Sequence, residues 1–377
     1  MATQDGRGTN ELTGGLRRAW RLRWFSTALL LGFHGLTAQA VLFYSSGDPS
    51  HNTTPPTGAL TDSGWQLEGQ WGSFLGTPIA PNYFITARHV GGNIGEPFVY
   101  AGATYPTAAV FDDPDSDLRI WRVCGTFPTY AMLYANTNEV GMGLVVFGRG
   151  TQRGDPVSVA AGVTNGWFWG PPDGVQRWGT NVVADAVDGD QLFPVPGSRL
   201  GSLLEASFSA GGADQATLST GDSAGGVFIR DAGVWKLAGI NYGVDGLFNT
   251  TTNGAGFDAA IFDERGLYLG MAGDWTLVPA SGPDAVPSAF YATRISSNLS
   301  WILSVISTTV PADAPALQSA STFAGPYADD LTGTLDAQAR TITVPLAGQT
   351  RFYRLRACVP LAVTGVQIVS GEMVLNY

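Results

Sequence analysis

The chain has 377 residues, 44% of them hydrophobic and 14% charged, with a formal net charge of −11. The apolar share suffices for a buried core, and so little charge excludes a disordered chain or a coiled coil. The acidic balance argues against binding nucleic-acid phosphates, while the 50 glycines suit a β-rich fold with many turns.

In chain order, residues 1–40 read as a signal peptide. Arg17, Arg18, Arg21 and Arg23 form a basic stretch, an apolar run follows from Trp24 to about Leu36, and Ala38-Gln39-Ala40 supplies a small-x-small cleavage site. The run is too short to span a bilayer comfortably. An uncleaved anchor or a mistaken start codon is the alternative. Residues 41–63 read as an irregular polar arm. From Trp65 onward short apolar runs alternate with turn signals, as in Thr77–Ala80, Tyr83–Thr86, Leu118–Val123, Gly143–Phe147, Gly226–Ile229 and Trp235–Ile240. Many short strands at such spacing indicate a sandwich or barrel. Ser297–Ile306 has helical apolar spacing with a serine available as N-cap. A boundary is expected near 309, after which Ala316–Ala320, Thr341–Val344, Phe352–Arg356 and Val366–Val369 read again as strands, with Ser370-Gly371 turning into Met373–Leu375. The domains expected are therefore 1–40, 41–308 with its core at 65–306, and a small β module at 309–377.

Cys124 and Cys358 are the only cysteines. One disulfide or two buried thiols both fit. With only His51 and His89 beyond residue 40, no zinc site is expected, and no cofactor is implied.

Three segments carry chemistry: Phe84–Val90 around His89, Asp115–Ile120 around Asp117, and Ser219–Gly226 around Ser223. A serine hydroxyl is a weak nucleophile that needs a histidine base, and the base needs a carboxylate to fix its tautomer. Gly221 permits an unusual backbone conformation, so that the N–H groups of Gly221 and Ser223 can face one developing oxyanion. Asp112, Asp113 and Asp115 crowd Asp117 and leave a solvated acidic loop or a calcium site as other readings. Strand alternation starting just after Asp117 favours it over Asp115.

Thr86-Ala87-Arg88-His89 resembles the Thr-Ala-Ala-His of chymotrypsin-like serine proteases, with Arg88 for alanine. Asp117-Leu118-Arg119-Ile120 is similar to their Asp-Ile-Ala-Leu. Gly221-Asp222-Ser223-Ala224-Gly225-Gly226 is similar to their Gly-Asp-Ser-Gly-Gly-Pro, and Asn241-Tyr242-Gly243 to their Ser-Trp-Gly. Gly72–Tyr83 resembles the strand pair leading into the histidine, and Phe290–Ile295 followed by Trp301-Ile302 the closing strand and helix. The order His, Asp, Ser is also that family's. The resemblance implies an all-β fold, a double antiparallel β-barrel with a C-terminal helix, followed here by a β-sandwich-like module. It implies a serine endopeptidase with His89, Asp117 and Ser223 as triad, and an oxyanion hole from Gly221 and Ser223. Substrate would be bound by Thr217, Asn241, Tyr242 and Gly243. In activated animal members a freed N-terminal Ile pairs with the Asp before the nucleophile. Asp222 is present here, but Val41-Leu42-Phe43-Tyr44 is no obvious substitute, so another partner for Asp222 is expected.

By alignment, neutral Thr217 at the base of the primary pocket argues against a preference for Arg or Lys. The insertion 244–287, with Phe248, Phe257, Phe262, Tyr268 and Trp275, could lid the site or be surface packing. The tail resembles small β modules of exported bacterial proteins through Leu317–Ser321, Gly325–Tyr327 and Gln349–Arg356. Surface attachment, sorting and stabilisation stay open for it. The expected partner is a protein or peptide substrate, with an exported monomer acting on it. A non-catalytic binding protein on the same scaffold, or an esterase, are the rival readings.

Overall fold

Alternating apolar side chains put one face of each short strand into a core and the other against a neighbour. The computed structural model describes residues 41–194, 197, 199–307, 315–346, 348, 350–358 and 361–377; the expected signal peptide and the boundary near 309 lie outside the described residues. Six strands close a first barrel: β1 (Gly69–Trp71), β2 (Phe74–Ala80), β3 (Tyr83–Ala87), β4 (Pro97–Tyr100), β5 (Ala103–Asp112) and β6 (Leu118–Val123), in the order β1-β2-β3-β6-β5-β4. Trp71, Phe84, Phe98, Tyr100, Trp121, Val123 and Phe127 fill it. Phe84 and Phe98 stack with ring centroids 3.9 Å apart. They fit because β1 opens on a glycine: a Cβ at Gly69 would stand 2.2 Å from Phe98.

A second sheet has seven antiparallel strands: β7 (Gly143–Gly148), β8 (Arg177–Val182), β9 (Asp185–Asp188), β10 (Ser202–Ser207), β11 (Gly226–Asp231), β12 (Val234–Val244) and β13 (Ala289–Arg294). Their order is β8-β7-β11-β12-β13-β10-β9. It curls on itself. Asn181 on β8 donates to the Ser207 carbonyl at the end of β10 (3.1 Å) and to that of Ala216 (2.9 Å), joining strands well separated in the ladder. Leu75, Ile79, Ile85, Leu118 and Ile120 of the first barrel meet Phe147, Phe228, Leu237 and Ile240 of the second sheet in one core. The helix α1 (Leu299–Ile306) adds Ile302 and Val305 to it. The all-β class, with a closed barrel, a second antiparallel sheet, a closing helix and a small β module, is the one expected.

Two expectations need amending, and one open choice is decided. No serine caps α1: Asn298 stands at the N-cap without a side-chain capping bond, and its amide instead donates to the Arg294 carbonyl at 2.8 Å, after a 3-10 turn at Ser296–Asn298. Nor is the arm 41–63 wholly irregular. Leu42–Phe43 pairs antiparallel with Ala216–Thr217, and Val41 and Phe43 bury against Ala216, because apolar surface that close to the sheet is withdrawn from water. The cysteines, for which bonded and thiol forms were both open, are bonded, Cys124 to Cys358 with Cα atoms 5.2 Å apart.

The insertion builds small sheets of its own. Ala259–Ile261 joins a hairpin of Thr151–Val157 and Gly166–Pro172, and Phe248–Asn249 pairs with Tyr268–Met271, which pairs with Asp274–Leu277. Phe248, Ala259, Ile261 and Leu267 of the insertion make a core with Val157 of that hairpin. The tail forms a three-stranded and a four-stranded sheet over Leu317, Ile342, Val344 and Leu375; five of the strands are those read from the sequence, and Ala328–Asp329 and Thr334–Asp336 join them unread. Among the described residues no helix is long and apolar enough to cross a membrane.

Candidate active site

The antiparallel register of β3 and β6 pairs Ala87 with Leu118. The residues just past Ala87 therefore meet the residue just before Leu118. His89, in the 3-10 turn Arg88–Val90, donates its backbone N–H to Asp117 Oδ1 at 3.1 Å, and its Nδ1 lies 2.5 Å from Asp117 Oδ2. Its Nε2 lies 2.8 Å from Ser223 Oγ. With Nδ1–H given to the carboxylate, Nε2 is left as the acceptor facing the hydroxyl.

The neighbouring acids are otherwise engaged. Asp113 is buried and holds the loop, accepting from the Asp115 N–H (3.0 Å) and the Ser116 hydroxyl (2.7 Å). Asp112 binds the Arg119 guanidinium through both oxygens (2.5 and 2.9 Å), and Asp115 is exposed. Among the described residues no group of three or more His, Cys, Asp or Glu could hold a metal ion. Arg88, the departure from the family's alanine, turns away from the imidazole and donates to the Asp113 carbonyl at 3.3 Å.

Ser223 sits in a turn held from behind. Ala224 N–H donates to the Asn241 carbonyl (3.0 Å) and Asn241 N–H to that of Gly225 (2.9 Å). The buried Asn241 amide donates to the carbonyls of Phe147 (2.8 Å) and Asp222 (2.9 Å). Gly221 has φ +92°, a conformation that glycine adopts without penalty, and Ala224 has φ +67°. Among the described residues the N–H groups of Gly221 and Ser223 have no protein acceptor.

Asp222 points away from the site into the protein. It accepts from the backbone N–H groups of Val41 (3.0 Å), Gly150 (2.7 Å) and Ser219 (2.8 Å) and from the Ser219 hydroxyl (3.1 Å). The expectation that Val41 is no substitute partner is thus corrected: pairing of Leu42 with Thr217 lays Val41 against Asp222. Burial pushes the Asp222 carboxyl up to about 7, against these donors.

Of the residues expected to bind substrate, Tyr242 presents its ring edge-on to the imidazole, centroids 5.6 Å apart, and stands 5.7 Å from Phe193. Burial, with the nearby Asp117 charge, raises its hydroxyl well above the ordinary range. A Cβ at Gly243 would meet nothing within 4 Å. Thr217 is buried in the pair with Leu42. Asn241 contributes through the turn it holds, its own amide nitrogen being engaged there.

One residue went unread in the sequence. Glu68, just before β1, is buried and accepts from the Thr77 hydroxyl and the Gly226 N–H at 3.1 Å each through Oε1, while Oε2 has no partner. Burial pushes its carboxyl up to about 8. Its signal was indirect. Where the family has proline after Gly-Gly, this chain has Gly226, which adds an N–H that needs an acceptor.

No family model matches the sequence, and no curated protein matches it. In structure the chain is similar to kallikrein-related peptidase 10, at 13% identity and a TM-score of 0.35, over 68% of this chain and 100% of that one.

Proposed function

We propose that the protein is a serine endopeptidase that hydrolyses peptide bonds through an acyl-enzyme. The observation that carries this is the unbroken line from Asp117 through His89 to Ser223, at 2.5 and 2.8 Å. Ser223 Oγ attacks the scissile carbonyl as its proton passes to His89 Nε2. Asp117 stabilises the imidazolium, and the N–H groups of Gly221 and Ser223 receive the oxyanion. His89 then protonates the leaving amine, and water, deprotonated by the same imidazole, releases the acid. Tyr242 and Gly243 flank the substrate, and neutral Thr217 disfavours a cationic side chain at the cleavage site.

In this reading the chain acts outside the cytoplasm as a monomer, after cleavage behind Ala40. That cleavage would leave an ammonium at Val41, whose nitrogen lies 3.0 Å from Asp222. The test is a fluorophosphonate probe applied to the chain starting at Val41, beside Ser223→Ala and His89→Ala, followed by casein digestion. Labelling of the parent alone, with casein cleaved, is the expected result. Labelling without casein cleavage would make it an esterase, and no labelling of a folded sample would sink the proposal.

A further inference from the structure

We infer that the cleft between the first barrel and the C-terminal sheets binds a small oxyanion between the guanidinium groups of Arg122 and Arg356. Along β6, Trp121 and Val123 fill the barrel, so Arg122 projects from its outer face. An outward arginine normally reaches water, yet Arg122 is only 6% exposed. Its Nε–H is buried without a partner, and its guanidinium makes no hydrogen bond or ion pair among the described residues. A guanidinium cannot relieve this by losing its proton, and a buried charge persists only when something compensates it.

Facing it across a cavity of about 280 Å³ is Arg356; Thr107, Cys124, Ala357 and Cys358 complete the lining with their neighbours. Arg356 also keeps a buried Nε–H without a partner. Its Nη2 is shared between the two oxygens of Asp329, at 3.0 and 2.9 Å. Two cations and one carboxylate thus leave one positive charge unmatched. Burial, chiefly, and the Arg356 charge disfavour the charged form of Arg122, while Tyr83, its cross-strand neighbour on β3, and Asp329 oppose them.

The missing element is an acceptor with paired oxygens, the partner that a planar guanidinium fork fits best. At about 30 Å³ per water the cavity holds roughly nine waters, room for an oxyanion with part of its hydration shell. The Cys124–Cys358 bond, in its wall, fixes the two arginines' elements together. Phosphate, sulfate and carboxylate share the required chemistry.

The test follows thermal unfolding of the full chain carrying Ser223→Ala, at constant ionic strength, as chloride is replaced by phosphate, sulfate or acetate. At least one oxyanion should raise the melting temperature saturably, by about 2–4 °C near tenfold its dissociation constant. Arg122→Met should abolish that rise and, in chloride alone, melt at the same temperature as the parent or higher, because it removes an uncompensated buried charge. A response to phosphate or sulfate but not acetate assigns an inorganic ion; a response to acetate assigns an organic carboxylate. The inference is overturned if no oxyanion acts, or if Arg122→Met responds like the parent. Melting of Arg122→Met several degrees lower in chloride would also overturn it.

Discussion

Replacing Glu68 by glutamine should change how stability depends on pH. The Glu68 carboxyl is pushed from its ordinary 4.5 up to about 8, chiefly by burial, with the Thr77 and Gly226 donors opposing. In the unfolded chain it ionises near 4.5. Between those values the folded state keeps a proton that the unfolded state has released, so its contribution is complete below 4.5 and is lost as pH rises toward 8. The slope is about 1.4 kcal/mol per pH unit, on the order of 5 kcal/mol over the whole window. Glu68→Gln keeps an oxygen for Thr77 and Gly226 and has nothing to titrate. The variant should therefore gain on the parent by about 1.4 kcal/mol for each unit from pH 5 to 8. Guanidinium unfolding at four pH values measures this, in a Ser223→Ala background to prevent self-digestion. Asp222, whose carboxyl is pushed up to about 7, adds a slope of the same sign to both proteins and cancels in the difference. Parallel stability curves for the two proteins would refute the reasoning, since they would mean that Glu68 folds with its charge.

Ser223→Ala and His89→Ala should each lower peptide hydrolysis by about 10⁴-fold or more, read as initial rates on casein fragments. A chain beginning at Val41 should label with the fluorophosphonate at least about tenfold faster than one with residues ahead of it, as a charged amine on Asp222 worth one pKa unit would give; equal rates would remove Val41 from the mechanism. Cys124→Ser should free the C-terminal sheets from the first barrel, seen as faster proteolysis of residues 315–377, with the labelling rate within about twofold of the parent, a surface-distant change. Ala224→Gly should alter stability by less than about 1 kcal/mol. It loses a buried methyl (about 0.8 kcal/mol) and adds chain freedom (about 0.5–1 kcal/mol), but relieves a left-handed alanine (about 1–2 kcal/mol). Ala238→Gly, also buried in the sheet but at no positive φ, lacks that relief and should show the loss in full by denaturant titration.

Local pattern decided much of this protein. Short apolar runs between turn signals marked the strands, and period-two alternation marked Leu118–Val123, although the fold buries all of that strand but Arg119. The segments around His89, Asp117 and Ser223 were legible because each is a short turn at a strand end whose geometry depends on its own residues, as with the left-handed Gly221. What sequence left open was decided by what lies far away in the chain. Asp117 rather than Asp115 faces the imidazole because the register pairs Ala87 with Leu118. Val41 meets Asp222 across 181 residues because a two-residue strand pairs with Ala216–Thr217. Glu68, Arg122 and the Cys124–Cys358 bond likewise take their character from what covers them. Burial and charge compensation are sums over neighbours brought in by the fold, and no local stretch of sequence contains those neighbours.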